Sequence, residues 1–504
     1  MMTAVELTHH KQLGDLIEIN DQALSAIMVS GIELDSRQIT VGDVFLACIG
    51  TTVDGRDYID QAIAAGAVAV LAEQDDQWIS DSYRNGIPIV VVANLAQKVS
   101  GIAGEFFGHP SQQLPVLAVT GTNGKTSCTQ LLMQLLNAMS KSCAVIGTLG
   151  TGTDGVLEPG INTTPDAVAI QKLLATWLAE NVSTVAMEVS SHGLEQGRIQ
   201  ALQFELALFT NLSRDHLDYH GSMQAYAEAK ARLFKQPGLK HAVINIDDSF
   251  SETLLNIIAD DVAVIRYSVD AARDVAKRID VWVENISYHP GGISAQLHSP
   301  WGEFELHSPL LGDFNLSNVV AAVTGLGVLG YPVAAVIESL KTLDTIAGRM
   351  EKISAAADIN VILDYAHTPD ALEKALVAIR QHIDGDVWCV FGCGGDRDQG
   401  KRPQMGEIVQ RYADHVVVTS DNPRHEQASD IIDEILGGVD RPTLVEEDRA
   451  IAIEFAITHA KAGDCVLIAG KGHEAYQQIG DKRIPFSDIK QARLALAGRA
   501  GVSE

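Results

Sequence analysis

One run of residues limits the fold of this chain more than any other. Val116-Leu-Ala-Val-Thr120 is an apolar strand, Gly121, Thr122, Asn123, Gly124, Lys125, Thr126 and Ser127 follow it, and residues 128–139 carry an amphipathic helical pattern. A strand, a glycine-rich loop and a helix in that order are what a phosphate cradle needs. The glycines let backbone N–H groups approach a polyphosphate, and the helix N-terminus adds its dipole. Lys125 reaches the terminal phosphates, and a hydroxyl can ligate magnesium. The usual loop carries a further glycine where Val119 stands here, so this is a variant. The bland alternative, a chance Gly-Lys-Thr on the surface, is disfavoured by the flanking strand and helix.

Short β-rich runs alternate with helical patterns along most of the chain, which predicts an α/β fold built on parallel sheets. At 504 residues the chain is too long for one core, and about two to four domains are expected. Three blocks are read. Residues 1–111 hold a strand from Asp43, an Ala-rich helix and a strand at 67–71. The proline-containing segment 108–115 reads as a linker. Residues 112–346 hold the phosphate loop, further strands at 144–147, 184–189, 206–210 and 242–245, and an alternating stretch at 281–306 that reads as an antiparallel meander. Within 319–337, Gly330 and Pro332 predict two helices with a turn between them rather than a membrane span. Residues 347–504 hold strands at 361–364, 387–391, 415–419 and 465–469 with intervening helices, the pattern of a small doubly wound, Rossmann-like sheet.

The formal net charge of −28 disfavours a polyanion partner such as nucleic acid. With no secretory pattern at 1–11, a cytoplasmic location is expected. The six cysteines lie mostly in apolar runs. Cys389 and Cys393 lack the spacing of a usual zinc or redox pair, so buried free thiols are expected.

Carboxylates follow the loop in sequence. Glu188 closes a strand before Ser190-Ser-His192, beyond which ligands bind in open α/β sheets. It is placed to hold Mg²⁺, although a strand-end carboxylate paired with an arginine fits the spacing equally well. Asp215, His216 and Asp218 crowd the loop after the next strand, a density that favours metal or phosphate chemistry. Lys230 lies in a helix at 223–234, and its spacing makes it a surface lysine flanked by the solvated Glu228 and Arg232.

Taken together, Gly-Thr-Asn-Gly-Lys-Thr, Met187-Glu-Val-Ser-Ser-His192 and Asn211-Leu-Ser-Arg-Asp-His-Leu-Asp-Tyr-His-Gly221 resemble the Mur ligase superfamily. So do Gly312-Asp-Phe-Asn-Leu-Ser-Asn318, Gly348-Arg-Met350, Asp364-Tyr-Ala-His-Thr-Pro-Asp370, Asp421-Asn-Pro-Arg424 and Gly470-Lys-Gly-His-Glu474. The resemblance covers nearly the whole chain and is greatest to the branch that adds 2,6-diaminopimelate. It implies three domains: a UDP-substrate domain, a central ATPase and a Rossmann-like amino-acid domain. It assigns Leu34, Ser36, Thr51, Thr52 and Val53 to the uridine nucleotide. Asn162, Thr163, Thr164, Ser190, Gln196 and Arg198 would hold the muramoyl peptide. Lys125, Glu188, His216 and Lys230 are implied as catalytic groups. Lys230 would be an N6-carboxylysine, made by CO₂, that ligates Mg²⁺ along with Thr126 and Glu188. Asn315, Arg349 and Asp364 would join residues 121–127 in binding ATP. Arg397, Asp421, Asn422, Pro423, Arg424, Gly470 and Glu474 would take diaminopimelate.

The implied reaction passes the γ-phosphoryl of ATP to the D-glutamyl carboxylate of UDP-N-acetylmuramoyl-L-alanyl-D-glutamate, and the diaminopimelate amine attacks the acyl phosphate. Magnesium and Lys125 screen the two anions, and domain closure keeps water away. Diaminopimelate differs from lysine by a distal carboxylate, which a guanidinium fork such as Arg424 suits. By spacing alone Asp421-Asn-Pro-Arg424 is an ordinary turn. The rivals are a lysine-adding ligase, a folylpolyglutamate synthase and a non-catalytic ATP switch. Gly392-Cys-Gly-Gly395 lacks a dinucleotide fingerprint, which disfavours a dehydrogenase. A monomer is expected.

Overall fold

Apolar and β-branched runs form buried strands, and within each large parallel sheet their carboxyl ends carry the loops discussed below. The computed structural model describes residues 9–50, 53–153, 155–270, 278–289, 291–353 and 358–501. They fall into two compact units, Met1–Arg266 and Tyr267–Glu504.

In the first unit, strands Gly31–Glu33, Asp43–Ala47, Ala69–Glu73 and Ile87–Val92 run parallel, and Ser82–Arg84 is antiparallel at the edge. Side chains alternate between the two faces. Val44, Leu46 and Leu71 meet helix Leu95–Phe107, while Phe45, Val70 and Ile89 pack with Ile59 and Ala62. That helix buries Leu95, Val99, Ile102 and Phe106, one face at helical spacing. Gly108, at φ 76°, ends it in the left-handed region. The segment expected to be a linker is packed instead: Pro110–Gln112 forms a 3₁₀ turn with Pro110 and Ser111 buried, and Ser111 Oγ accepts from the Gln203 backbone N–H.

A second sheet of this unit has parallel strands in the order Cys143–Gly147, Thr184–Glu188, Val116–Thr120, Leu206–Phe209 and His241–Asn245. The middle three are buried along their whole length, as fits strands covered on both faces. Glu188 pairs with Val119 and Phe209 with Thr120, so these strands end at one level. An antiparallel pair, Gly150–Thr153 and Val156–Glu158, was not anticipated.

The second unit contains the expected meander, Val281–His289, Gly292–Ser299 and Gly302–Ser308. Helix Asp313–Val328 stops before Gly330 (φ 83°), and Val333–Ser339 restarts after Pro332. The last large sheet runs Glu351–Lys352, Asn360–Asp364, Cys465–Ala469, Val387–Phe391, His415–Val418 and Leu444–Val445, parallel but for the first strand. A hairpin, Tyr476–Ile479 with Lys482–Pro485, was also not anticipated. Among the described residues no cysteine is in a disulfide, and all but Cys48 are buried. No helix among the described residues is long and apolar enough to cross a membrane.

Candidate active site

The phosphate loop turns out of strand Val116–Thr120 at Gly121, where φ is 153° and a Cβ would lie 1.9 Å from Thr210 Oγ1. Gly124, at φ 85°, caps helix Lys125–Ala138. The next strand end holds the loop's shape: Thr210 Oγ1 donates to the Asn123 carbonyl (2.6 Å), and the Asn123 N–H donates to Asn211 Oδ1 (3.0 Å). Thr122 Oγ1 donates to the Ser213 carbonyl at 3.1 Å. The Lys125 ammonium folds onto the carbonyls of Gly121 and Thr122, both at 2.8 Å. Ser127 is buried in the first turn.

Glu188 is 1% exposed, and its oxygens accept from three threonine donors rather than from an arginine. Oε2 takes Thr126 Oγ1 (3.0 Å) and Thr148 Oγ1 (3.2 Å), and Oε1 takes the Thr148 N–H (2.8 Å). A Cβ on Gly147 would sit 2.3 Å from Oε1, so the glycine makes room for the carboxylate. The strand ends thus bring Glu188 to the hydroxyl of the phosphate loop.

The reading of Lys230 as a surface side chain is wrong. Its helix, Met223–Ala231, turns the lysine inward, leaving it 1% exposed, while Glu228 and Arg232 stay in solvent. Nζ donates to the Gly121 carbonyl at 2.7 Å and lies 4.5 Å from the Tyr226 ring centroid. Lys125 and Lys230 therefore meet on one carbonyl oxygen. Burial first, and the Lys125 charge second, push the Lys230 pKa well below the ordinary lysine range, which favours a neutral amine.

His216 caps the short helix Leu217–His220 at φ 52°, with Nε2 3.5 Å from Asp215 Oδ2. Its pKa is lowered, mainly by burial. Asp218 is exposed beside it. The His192 ring lies 5.0 Å from that of His216 and 5.4 Å from that of His220. Burial and these two neighbours lower the His192 pKa to about 4. No group of three or more His, Cys, Asp or Glu able to hold a metal occurs among the described residues. A metal here would need hydroxyl, phosphate or modified-lysine oxygens besides Glu188.

Several residues assigned to the muramoyl peptide gather around the same strand end. Thr163 Oγ1 is 3.0 Å from Thr148 Oγ1. Thr164 Oγ1 donates to the Glu188 carbonyl (2.9 Å) and accepts from the Ser190 N–H (3.0 Å). Ser190 Oγ caps helix Ser191–Glu195. Arg198 donates to Gln196 Oε1 and to the Thr164 carbonyl, and Gln196 reaches the Tyr219 hydroxyl at 3.1 Å. Asn162 is exposed and takes no part in this network. Of the residues assigned to uridine, Leu34 packs at the edge of the first core, Ser36 Oγ bonds Gln61 at 3.1 Å, and Val53 is exposed. Thr51 and Thr52 lie outside the described residues.

In the second unit, Asn315 is buried, its amide donating to the Leu311 carbonyl at 2.8 Å. Arg349 stacks over Tyr365 at 4.8 Å. Asp364 Oδ2 accepts from the Met350 N–H at 2.7 Å. Burial raises the Asp364 pKa, and Arg349 opposes that shift.

The carboxyl edge of the last sheet gathers the remaining assigned residues. Asp421, Asn422 and Pro423 are buried after strand His415–Val418. Gly470 follows Cys465–Ala469 at φ 113°, where a Cβ would approach Asp421 Oδ2 to 2.7 Å. Asn422 Nδ2 donates to Glu474 Oε2 at 2.8 Å. Arg424 adopts φ 51° and donates through Nη1 to the Gly395 carbonyl at 2.7 Å, while Arg397 is exposed. Sequence reading missed the frame of this loop. The fully buried pair Arg449–Asp488 fixes both strand ends, Arg449 donating to the carbonyls of Ala469 (2.9 Å) and Ser420 (3.4 Å). The hairpin adds Gln477 Nε2 to the Asp421 carbonyl (2.7 Å) and exchanges backbone bonds with Arg424. The turn pair Gly480-Asp481 between two short runs was the available signal for that hairpin.

Three family models match: the Mur ligase family, catalytic domain over 28–105, the Mur ligase middle domain over 119–326, and the Mur ligase, glutamate ligase domain over 348–472. A Pseudomonas aeruginosa protein named UDP-N-acetylmuramoyl-L-alanyl-D-glutamate--2,6-diaminopimelate ligase is 47% identical over 485 residues, covering 96% of this chain and 98% of its own. The protein of that name from Vibrio vulnificus is 44% identical over 477 residues, 94% of this chain and 95% of its own. A solved structure of a ligase so named is 35% identical, with a TM-score of 0.71 over 97% of this chain and 99% of that one. The fold is shared at 19% identity by a MurF ligase from Thermotoga maritima in complex with ADP, at a TM-score of 0.64 over 94% of this chain and 98% of that one. On the strength of these matches and of its α/β architecture, this chain belongs to the Mur ligase family, with that family's three-domain fold.

Proposed function

We infer that this chain is an ATP-dependent amide-bond ligase that joins meso-2,6-diaminopimelate to UDP-N-acetylmuramoyl-L-alanyl-D-glutamate during peptidoglycan precursor synthesis. Relatives of that name match nearly end to end. The observation that carries the chemistry is the convergence of Lys125, Thr126, Glu188 and Lys230 on one strand edge. The division at 1–111, 112–346 and 347–504, and the ATP roles of Asn315, Arg349 and Asp364, are parts of this reading.

ATP lies along the loop N–H groups with its terminal phosphates at Lys125. The D-glutamyl carboxylate of the UDP substrate attacks the γ-phosphorus, and ADP leaves. The diaminopimelate amine then adds to the acyl phosphate, loses a proton, and the tetrahedral adduct expels phosphate. Both partners of the first step are anions, so Lys125 contributes by screening their repulsion and stabilising charge on the transferring group. Thr126 and Glu188 suit a magnesium ion, a buried carboxylate beside a loop hydroxyl being what a cation shared with phosphate oxygens requires. When bound there, magnesium supplies further charge neutralisation.

Lys230 fits carbamylation for a physical reason. CO₂ reacts with a neutral amine, and burial beside Lys125 favours that form. A carbamate nitrogen keeps one N–H for the Gly121 carbonyl, and its carboxylate adds oxygen ligands to a site short of them. Thr163, Thr164, Ser190, Gln196 and Arg198, with Asn162, hold the muramoyl peptide, and Leu34, Ser36 and Val53, with Thr51 and Thr52, take the uridine end. Arg424 and Arg397 pair the distal carboxylate of diaminopimelate, and Asp421, Asn422, Pro423, Gly470 and Glu474 line its amine side.

The test is a coupled phosphate-release assay with ATP, Mg²⁺ and the UDP-dipeptide, adding diaminopimelate, lysine or ornithine in parallel. Release that requires the UDP-dipeptide and diaminopimelate together is expected. Equal release with lysine would remove the assignment of amino acid, and release independent of both acceptors would favour an ATP-driven switch.

A further inference from the structure

Lys471 lies between Gly470 and Glu474 with none of its surface exposed. A buried ammonium is costly unless its protons and its charge are met. Nζ donates to Asn422 Oδ1 at 2.9 Å and to Glu474 Oε2 at 3.1 Å, and it lies 5.7 Å from the Tyr476 ring centroid. The backbone enforces this position. Gly470 and Gly472 take φ of 113° and 51° on either side of it, and a Cβ on Gly472 would approach Tyr365 Cβ to 2.8 Å.

Two consequences follow for the loop. Asn422 Oδ1 accepts from Lys471 and from the Gln478 N–H (2.8 Å), so the amide cannot flip without aiming its NH₂ at two donors. Nδ2 is therefore held toward Glu474. On Glu474, Lys471 and Asn422 Nδ2 both use Oε2. Among the described residues no donor meets Oε1, which leaves it an open acceptor.

We propose that Lys471 is a positioning residue for amino-acid recognition: by holding the Asn422 amide in one direction and Glu474 by one oxygen, it presents Glu474 Oε1 to the ammonium of the incoming diamino acid. This rests on the diaminopimelate reading above. Lys471 touches no reacting atom, so its effect is confined to the amino-acid substrate.

The experiment is steady-state kinetics of full-length wild type, Lys471→Met, Glu474→Gln and the double variant, each substrate varied in turn. Losing a buried charge-assisted bond predicts KM for diaminopimelate raised about 10- to 100-fold in Lys471→Met. KM for ATP and for the UDP-dipeptide stays at the wild-type value. The double variant is no worse than Glu474→Gln, because the two residues act as one unit. An unchanged KM for diaminopimelate, equal rises for all three substrates, or additive losses would overturn the proposal. Should Lys471→Met not fold, Lys471→Gln, which keeps a donor and removes the charge, is read the same way; failure of both to fold would also overturn it. Wild type that does not turn over diaminopimelate refutes the function itself, whereas wild-type turnover with unchanged variant kinetics refutes only the role of Lys471.

Discussion

The phosphate loop and the amino-acid loop both sit at the carboxyl ends of parallel strands, yet they are held in different ways. The first is a contiguous loop held by its own backbone, by one neighbouring strand end, Thr210-Asn211, and by Lys230 on the Gly121 carbonyl. The second is shaped by side chains from three separate elements: Arg449 under two strand ends, Lys471 behind Asn422, and Gln477 on a hairpin. A triphosphate is common to every ATP-dependent ligation, and a contiguous loop suffices to cradle it. On the proposed function, selection of one amino acid would depend on the second frame, assembled from separate elements. Damage to the first should therefore lower turnover for any substrate, and damage to the second should act on the amino acid alone.

The largest expected break is Lys125→Met. Removing the cation that stabilises the transferring phosphoryl group should lower kcat by about 10³-fold, measured as phosphate release at saturating substrates. An effect confined to a raised KM for diaminopimelate, with kcat unchanged, would erase the contrast between the two loops. Next comes Lys230→Met, expected to lower kcat by about 10²- to 10³-fold. Carbon-13 bicarbonate should give wild type a carbamate NMR signal that this variant lacks, and a signal in both would remove Lys230 as the modified residue.

Arg424→Ala tests the other side. Leaving a substrate carboxylate without its guanidinium should cost about 2–5 kcal/mol, read as kcat/KM for diaminopimelate, with ATP binding by calorimetry unchanged. The smallest effect is expected from Gln477→Ala, which removes one bond from the hairpin to the Asp421 carbonyl. A rise of about fivefold in the KM for diaminopimelate corresponds to one hydrogen bond. A matching rise for ATP would show that the frame is not specific to the amino-acid loop.

This contrast also sets what the sequence made legible. Val116–Thr120, Val387–Phe391 and Cys465–Ala469 were read to the residue because each is a continuous apolar run stopped by a turn. The phosphate loop was read for the same reason, since its parts are adjacent. Lys230 was misplaced because spacing on a helix cannot reveal what packs against it; its burial is decided by Gly121 and Tyr226. Glu188 was open between metal and arginine, and only the fold brought Thr126 and Thr148 to it. The hairpin at 476–485 was hidden by its exposure and polar content, and with it the frame of Arg424. Arg449 and Asp488 pair across 39 positions, a contact that no local pattern encodes.

On this mechanism a carboxylate oxygen of the UDP-dipeptide bonds to the γ-phosphorus before the amide bond forms. That step is tested most directly with UDP-N-acetylmuramoyl-L-alanyl-D-glutamate carrying heavy oxygen in its free glutamyl carboxylates. Mass spectrometry of the released phosphate should find one heavy oxygen per amide bond formed. Amide product accompanied by phosphate with no heavy oxygen would contradict the account.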